Sequence, residues 1–296
     1  MFSSTNDQAE CLASCVVPLR ASQTGAPLFC IHPSGGDIGI YRKVARHLTP
    51  DYPVLGIQSR LLVGATDEFQ TIDAMAEHYT KLVVEHQPEG AVRLFGFSFG
   101  GFVATAIASL LNRNGREVSF LGLVDSDLSW LENDGANRNE LRLRLVQLSN
   151  RFQETGVFNR VSDSKLKSDV DEIVERSLGS GDFSSDEMLE FLLSRGYTSP
   201  DSPHAESICR FTSLFLQHCN MVRSFRVSTI DSPLWLWWPN EPSPVDNRRS
   251  EVWRSHATKE IVEHCVDGSH FSILRMPTAR TLGRQISSEM ESACGS

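Results

Sequence analysis

The chain has 296 residues, 40% of them hydrophobic and 22% charged, with a formal net charge of −9. That composition supplies the core of an α/β enzyme carrying an insertion, and its acidic balance argues against nucleic acid as a global partner. No apolar run reaches the roughly 18 residues of a membrane span. Met1–Asp7 has neither the basic region nor the apolar core of a signal peptide, so a cytoplasmic protein that does not bind membrane is expected.

Residues 1–25 read as a polar N-terminal extension holding one short strand candidate, Cys15–Leu19. The main domain is expected over 26–296. Leu28–Ile31 is an apolar run of the buried-strand type, and it ends in the glycine-rich turn His32-Pro33-Ser34-Gly35-Gly36. A helix follows, with Ile40, Val44 and Leu48 on one face, and Pro53–Ile57 is the next strand. Thr71 can cap a helix whose apolar positions Ile72, Met75, Ala76, Tyr79, Leu82 and Val83 fall at helical spacing. Ala91–Phe95 reads as strand, Phe102–Ala108 as helix, and Val118–Val124 as a strand ending at Asp125. Strands alternating with helices imply a mostly parallel sheet covered on both faces.

From about 130 to 225 the pattern changes to charged, helical sequence with apolar positions at Leu141, Leu145 and Leu148, at Ile173, Val174 and Leu178, and at Met188, Leu189, Leu192 and Leu193. This stretch reads as a helical lid inserted over the carboxyl end of the sheet, with a separate helical domain as the alternative. Strand character returns at Pro233–Trp238 and Glu260–Cys265, and a last helix runs from near Pro277 to about Met290. Trp235, Trp237 and Trp238 alternate across a strand, which suits a buried sheet better than a ligand box.

Gly96-Phe97-Ser98-Phe99-Gly100 stands between a strand and a helix, the context a nucleophile elbow requires. The turn strains Ser98, and glycines on either side avoid collisions with the neighbouring strand and helix. A plain strand-to-helix turn with a capping serine would leave the bulky pair Phe97 and Phe99 unexplained. A serine hydroxyl needs a base to take its proton as it attacks, and histidine suits best near neutral pH. His270 follows a strand and a tight turn and precedes the last helix, where a hydrolase of Ser…Asp…His order places its base. His204 and His218 in the helical insertion, His78 and His86 on a helix, and His47 near a helix end read as solvated or structural, and His264 within a strand as packed.

The acid that orients the imidazole is expected at Asp125, which ends the strand after the elbow helix, with Asp127, Glu241 and Asp246 as alternatives and Asp267 as a turn residue. The tetrahedral intermediate needs two backbone N–H donors. One is Phe99, directly after the nucleophile. Pro33 has no N–H, so Ser34 is the candidate in the glycine-rich turn, although an ordinary glycine turn reads the same way.

Cys11, Cys15, Cys30, Cys209, Cys219, Cys265 and Cys294 are odd in number and irregular in spacing, which supports reduced thiols and neither a zinc site nor a disulfide framework. Arg248 and Arg249 offer a weak phosphate-binding candidate and read more simply as a solvated helix start.

Pro27–Gly36, Tyr52–Ser59, Gly96–Gly101, Leu121–Ser126 and Gly268–Phe271 together resemble the thioesterase domains that terminate nonribosomal peptide and polyketide synthases and animal fatty acid synthase. Val16–Arg20 looks like that family's opening segment. The resemblance implies an α/β-hydrolase fold with a helical lid, and it implies Ser98 as nucleophile, Asp125 as acid and His270 as base. It implies no resident cofactor: the substrate is an acyl chain held as a thioester on the phosphopantetheine of an acyl or peptidyl carrier protein. Release from an acyl-Ser98 ester would follow by water or by a hydroxyl or amine of the chain itself.

No Leu-Gly-Gly-Asp/His-Ser carrier motif occurs, so a stand-alone enzyme or an excised domain is expected. Phe97 and Phe99 favour the product-releasing type. An editing thioesterase or an acyltransferase is the alternative. A hydrolase-fold binding protein without chemistry is the remote one, since it would be expected to lack part of the triad.

Overall fold

In the computed structural model, residues 15–22, 25–49, 52–65, 69–128, 134–179, 183–241 and 249–294 are described. Asp246 and Arg248, like Cys11 and the side chains of Arg249 and Cys294, lie outside what is described. The chain divides into two units, one of residues 1–128 with 225–296 and the other Ser129–Ser224.

The first unit is built on seven strands: β1 (Val16–Arg20), β2 (Leu28–Ile31), β3 (Val54–Ile57), β4 (Val92–Phe97), β5 (Val118–Val124), β6 (Leu234–Pro239) and β7 (Ile261–Val266). Their order is β1-β3-β2-β4-β5-β6-β7. Only β1 is antiparallel, to β3; the other pairs are parallel. Every residue of β2 is buried, and so is all of β4 except Arg93, because strands covered on both faces must be apolar throughout. The edge strands are more exposed: β1 buries only Val16 of its five residues and β7 only Val266 of its six.

The sheet starts at Val16, so the strand candidate at Cys15–Leu19 in the N-terminal extension is the edge strand β1. An edge strand needs only one apolar face, and β1 tolerates Pro18 because a proline at a sheet edge need not donate to a ladder. Arg20 fixes its end, donating from its guanidinium to the carbonyls of Tyr52, Ala45 and Leu48.

Five helices among the described residues complete this unit: α1 (Arg42–Ala45, one turn long, after a 3₁₀ turn at Gly39–Tyr41), α2 (Ile72–His86), α3 (Phe99–Arg113) and, beyond the insertion, α8 (Arg249–His256) and α9 (Thr278–Cys294). Thr71 caps α2, accepting from the Ala74 N–H at 3.1 Å, and its six expected apolar positions are the six buried ones. The tryptophans are core: Trp235 stacks on Phe120 at 4.8 Å, Trp237 is fully buried, and Trp238 faces the other way, half-buried.

The second unit holds α4 (Asp134–Glu154), α5 (Asp163–Gly179), α6 (Ser185–Ser194) and α7 (Ala205–Ser224), with no strand among its described residues. Leu141, Leu145, Leu148, Ile173, Val174, Met188 and Leu192 are buried within it. A reciprocal cap at Ser184 and Glu187 starts α6. Among the described residues no helix is long and apolar enough to cross a membrane, and no cluster of His, Cys, Asp or Glu is arranged to hold a metal ion.

Candidate active site

Ser98 is the single residue between β4 and α3, and its backbone sits at φ 55°, ψ −124°. A non-glycine residue held at positive φ costs about 1–3 kcal/mol, so the surroundings must impose it. They do so from two sides. The Ser98 N–H donates to Val124 O at 2.9 Å, and Ser126 Oγ donates to Ser98 O at 2.8 Å. The tightness of the turn explains its glycines. A Cβ on Gly96 would lie 2.3 Å from Gly100 O, and one on Gly100 would lie 2.3 Å from Ile31 O.

Asp125 follows β5 directly, also at positive φ (44°), with its N–H donating to Trp237 O at 2.9 Å. Aspartate is among the residues that tolerate this region. Its Oδ2 lies 2.6 Å from Nδ1 of His270. His270 stands in a turn after β7 that is closed by Ser272 N–H and Ile273 N–H, both donating to Ser269 O at 3.0 Å. The imidazole lies on the Phe97 ring, centroids 4.7 Å apart and planes 29° apart. Phe97, noted on sequence only for its bulk, is thus the bed of the imidazole and the immediate neighbour of Ser98. A ring that donates Nδ1–H to a carboxylate keeps its Nε2 lone pair for accepting a proton.

The other acids stand elsewhere. Asp127 is buried two residues beyond Asp125, Glu241 is exposed and touches the His270 turn through its backbone N–H to Gly268 O, and Asp267 accepts from the Asn240 side chain at 2.8 Å as a turn residue. His264 differs from its expected packed setting. It stacks on Trp237 at 5.2 Å and meets Glu289 at 2.9 Å, but its strand is at the sheet edge and it stays partly exposed.

Ser34 lies in the turn after β2, buried, in a loop closed by Gly36 N–H to Pro33 O at 2.8 Å and tied to β3 by Ser59 N–H to Gly36 O at 3.0 Å. Two neighbours missed on sequence set its place. His32 is fully buried, with Nδ1 2.9 Å from Pro33 O, Nε2 2.8 Å from the Tyr79 hydroxyl and its ring stacked over Phe99. Burial pushes its pKa down to about 4. It is therefore neutral near pH 7, and since a carbonyl can only accept, Nδ1 carries the hydrogen and Nε2 accepts from Tyr79.

The second neighbour is Tyr41. The last paired residues of β2 and β4 are Ile31 and Gly96, and the next ladder bond would join Phe97 N–H to Ile31 C=O. The Tyr41 hydroxyl occupies that bond, donating to Ile31 O at 2.6 Å and accepting from Phe97 N–H at 3.0 Å. It wedges the two strands apart where one runs into the Ser34 turn and the other into Ser98. No sequence signal distinguishes such a tyrosine from any apolar residue of a short helix.

The thioesterase-domain family profile matches residues 26–178. The chain belongs to the thioesterase family. Over 112 residues it is 40% identical to a dimodular nonribosomal peptide synthase of Bacillus subtilis, a match covering 38% of this chain and 5% of that protein. Over 278 residues, 94% of this chain, it is 24% identical to the vanchrobactin synthetase VabF of Vibrio anguillarum, of which it covers 8%. The chain thus spans under a tenth of these relatives. Among solved structures, the NocB thioesterase domain from the nocardicin cluster aligns over 96% of this chain and all of its own, with a TM-score of 0.63 and 23% identity, which shows a shared α/β-hydrolase fold.

Proposed function

We propose that Ser98, His270 and Asp125 act as nucleophile, base and orienting acid in a thioesterase that releases a peptide or polyketide chain from the phosphopantetheine of a carrier protein. The observation that carries this reading is the 2.6 Å contact between His270 and Asp125, with the imidazole laid on Phe97 beside Ser98. Ser98 Oγ attacks the thioester carbonyl as His270 Nε2 takes its proton. Negative charge develops on the carbonyl oxygen, where the backbone N–H groups of Phe99 and Ser34 are the candidate donors. Collapse breaks the C–S bond, His270 returns the proton to the departing thiolate, and the acyl group stays on Ser98 as an ester. Water, or a hydroxyl or amine of the acyl chain, then attacks that ester with His270 again as base.

The pantetheine belongs to the substrate in this reading and is not a resident cofactor. The relative named as a dimodular nonribosomal peptide synthase supports a peptide or related acyl chain as cargo. The described cysteines are free thiols, in keeping with a reducing compartment, so the cytoplasm is the proposed location.

Intact-protein mass spectrometry after mixing with an acyl-N-acetylcysteamine thioester tests the mechanism. Wild type should gain the acyl mass and lose it as product forms, whereas Ser98→Ala should gain none. Turnover by Ser98→Ala at the wild-type rate would refute the nucleophile.

A further inference from the structure

The cations outside the candidate site are not spread evenly. Residues 38–49 contain Arg42, Lys43, Arg46 and His47 and no Asp or Glu; residues 268–288 contain Arg275, Arg280 and Arg284 and again no acid. The chain as a whole carries 37 acids against 28 Lys and Arg, so two acid-free basic stretches run against its composition.

The fold brings them together. A Cβ on Gly283 of α9 would lie 2.8 Å from His47 Cβ and 3.1 Å from Val44 O, a contact only glycine permits. Beside it the Thr49 N–H donates to Ser287 Oγ at 2.7 Å. Val44 and Ala45 of α1 and Leu282 and Ile286 of α9 face the core. Arg42, Lys43, Arg46, Arg280 and Arg284 are left on the solvent side of one seam, all exposed. None of the five makes an ion pair among the described residues. Met276, 43% exposed, adjoins the seam ahead of α9.

The seam is continuous with the site. His270 and Arg275 share one run of turns, in which Arg275 N–H donates to Ser272 O and Ala279 N–H to Arg275 O. A partner resting on α1 and the start of α9 therefore lies beside the loop that carries His270.

We propose that this seam docks an acidic carrier domain, with Met276 as its apolar anchor. The proposal rests on the thioesterase reading above and adds where the carrier binds. A net charge of −9 repels an acidic partner at long range, so productive approach needs a local patch of opposite sign, which sets orientation and on-rate. Nucleic acid would face the same long-range repulsion along its whole length, while a compact acidic domain need present only one face.

The test compares one acyl group delivered in two ways: on a phosphopantetheinylated peptidyl carrier domain of net negative charge, and on N-acetylcysteamine. Arg280→Glu with Arg284→Glu should raise KM for the carrier-borne thioester at least tenfold and leave kcat/KM for the small thioester within twofold. Added salt should raise the wild-type carrier KM and barely change that of the variant. Arg113→Glu, an exposed reversal on α3, should leave the carrier KM unchanged. An unchanged carrier KM in the double variant, or an equal rise per charge with Arg113→Glu, would overturn the docking surface. Should the double variant lose both substrates, Lys43→Glu with Arg46→Glu on the other side of the seam decides by the same split. Wild type that turns over neither substrate sinks the thioesterase reading first, and the docking surface with it.

Discussion

Within the sheet unit and within the helical unit, different kinds of polar contact prevail. In the sheet unit the polar side chains around the candidate site are buried and bond to backbone: Tyr41 to Ile31 and Phe97, His32 to Pro33, Ser126 to Ser98. In the helical unit they bond to one another at the surface, as in Arg138 with Glu175, Arg142 with Asp171 and Arg176 with Glu187. Each of these pairs has both side chains at least a third exposed and is worth about 0–1 kcal/mol. Buried groups bonded to backbone are costly to lose and hold the turns around the site in place. Surface pairs can be exchanged at little cost, which leaves the helical unit free to vary while the chemistry stays put.

The largest expected effect is on the sheet side. Asn tolerates positive φ as Asp does, so Asp125→Asn keeps the turn and removes only the carboxylate that holds His270 in one tautomer. The acylation rate should fall by roughly 10³–10⁴, read by single-turnover kinetics, with the melting temperature little changed. Near-wild-type rates would pass the acid's role to Glu241 or Asp127.

A buried ion pair within the helical unit sharpens the contrast. Asp169 is 3% exposed and is held by Lys165 at 3.0 Å and Arg195 at 2.8 Å. Arg195→Ala removes one of the two cations paired with that buried carboxylate and should cost about 2–4 kcal/mol in urea unfolding. Arg138→Ala, at an exposed pair, should cost under about 0.5 kcal/mol. Equal losses would erase the distinction between the two kinds of contact.

His32 tests burial on the sheet side through pH. Its folded pKa is lowered from 6.5 to about 4, so the unfolded chain takes up a proton first as pH falls. Stability from this group is complete above about pH 6.5 and is lost between there and pH 4, by about 3 kcal/mol in all. Urea midpoints at pH 7, 5.5 and 4.5 should show this slope in wild type and lack it in His32→Gln.

How far the sequence reveals these features follows the physics of each. The six buried positions of α2 and its Thr71 cap were legible because periodicity and capping are local. So was the elbow, since a turn that tight admits only glycine at Gly96 and Gly100. Asp125 stood out by its place after β5, though its contact with His270 spans 145 residues and needs the sheet to exist. What stayed hidden was long-range and side-chain specific. The strand candidate at Cys15–Leu19 is β1, but its place in the sheet beside β3 depends on pairing with residues about 40 positions away, and the basic seam forms only when α1 meets α9.

Tyr41 is the clearest of these hidden residues. Its hydroxyl stands in the place of the ladder bond between Phe97 and Ile31, so Tyr41→Phe leaves a buried N–H and a buried C=O facing a phenyl edge. Either both stay unsatisfied, at about 1–3 kcal/mol each, or the strands close and bond directly. Closure draws the start of the elbow toward the turn that carries Ser34 and changes the space left for a tetrahedral oxygen. A shift of that size should lower kcat about tenfold with KM unchanged, because the site is altered where charge develops and not where the acyl chain is held. A conservative loss of one oxygen that lowers stability yet leaves kcat within twofold would make Tyr41 a packing residue. A selective fall in kcat would show that the gap between β2 and β4 is part of the catalytic geometry.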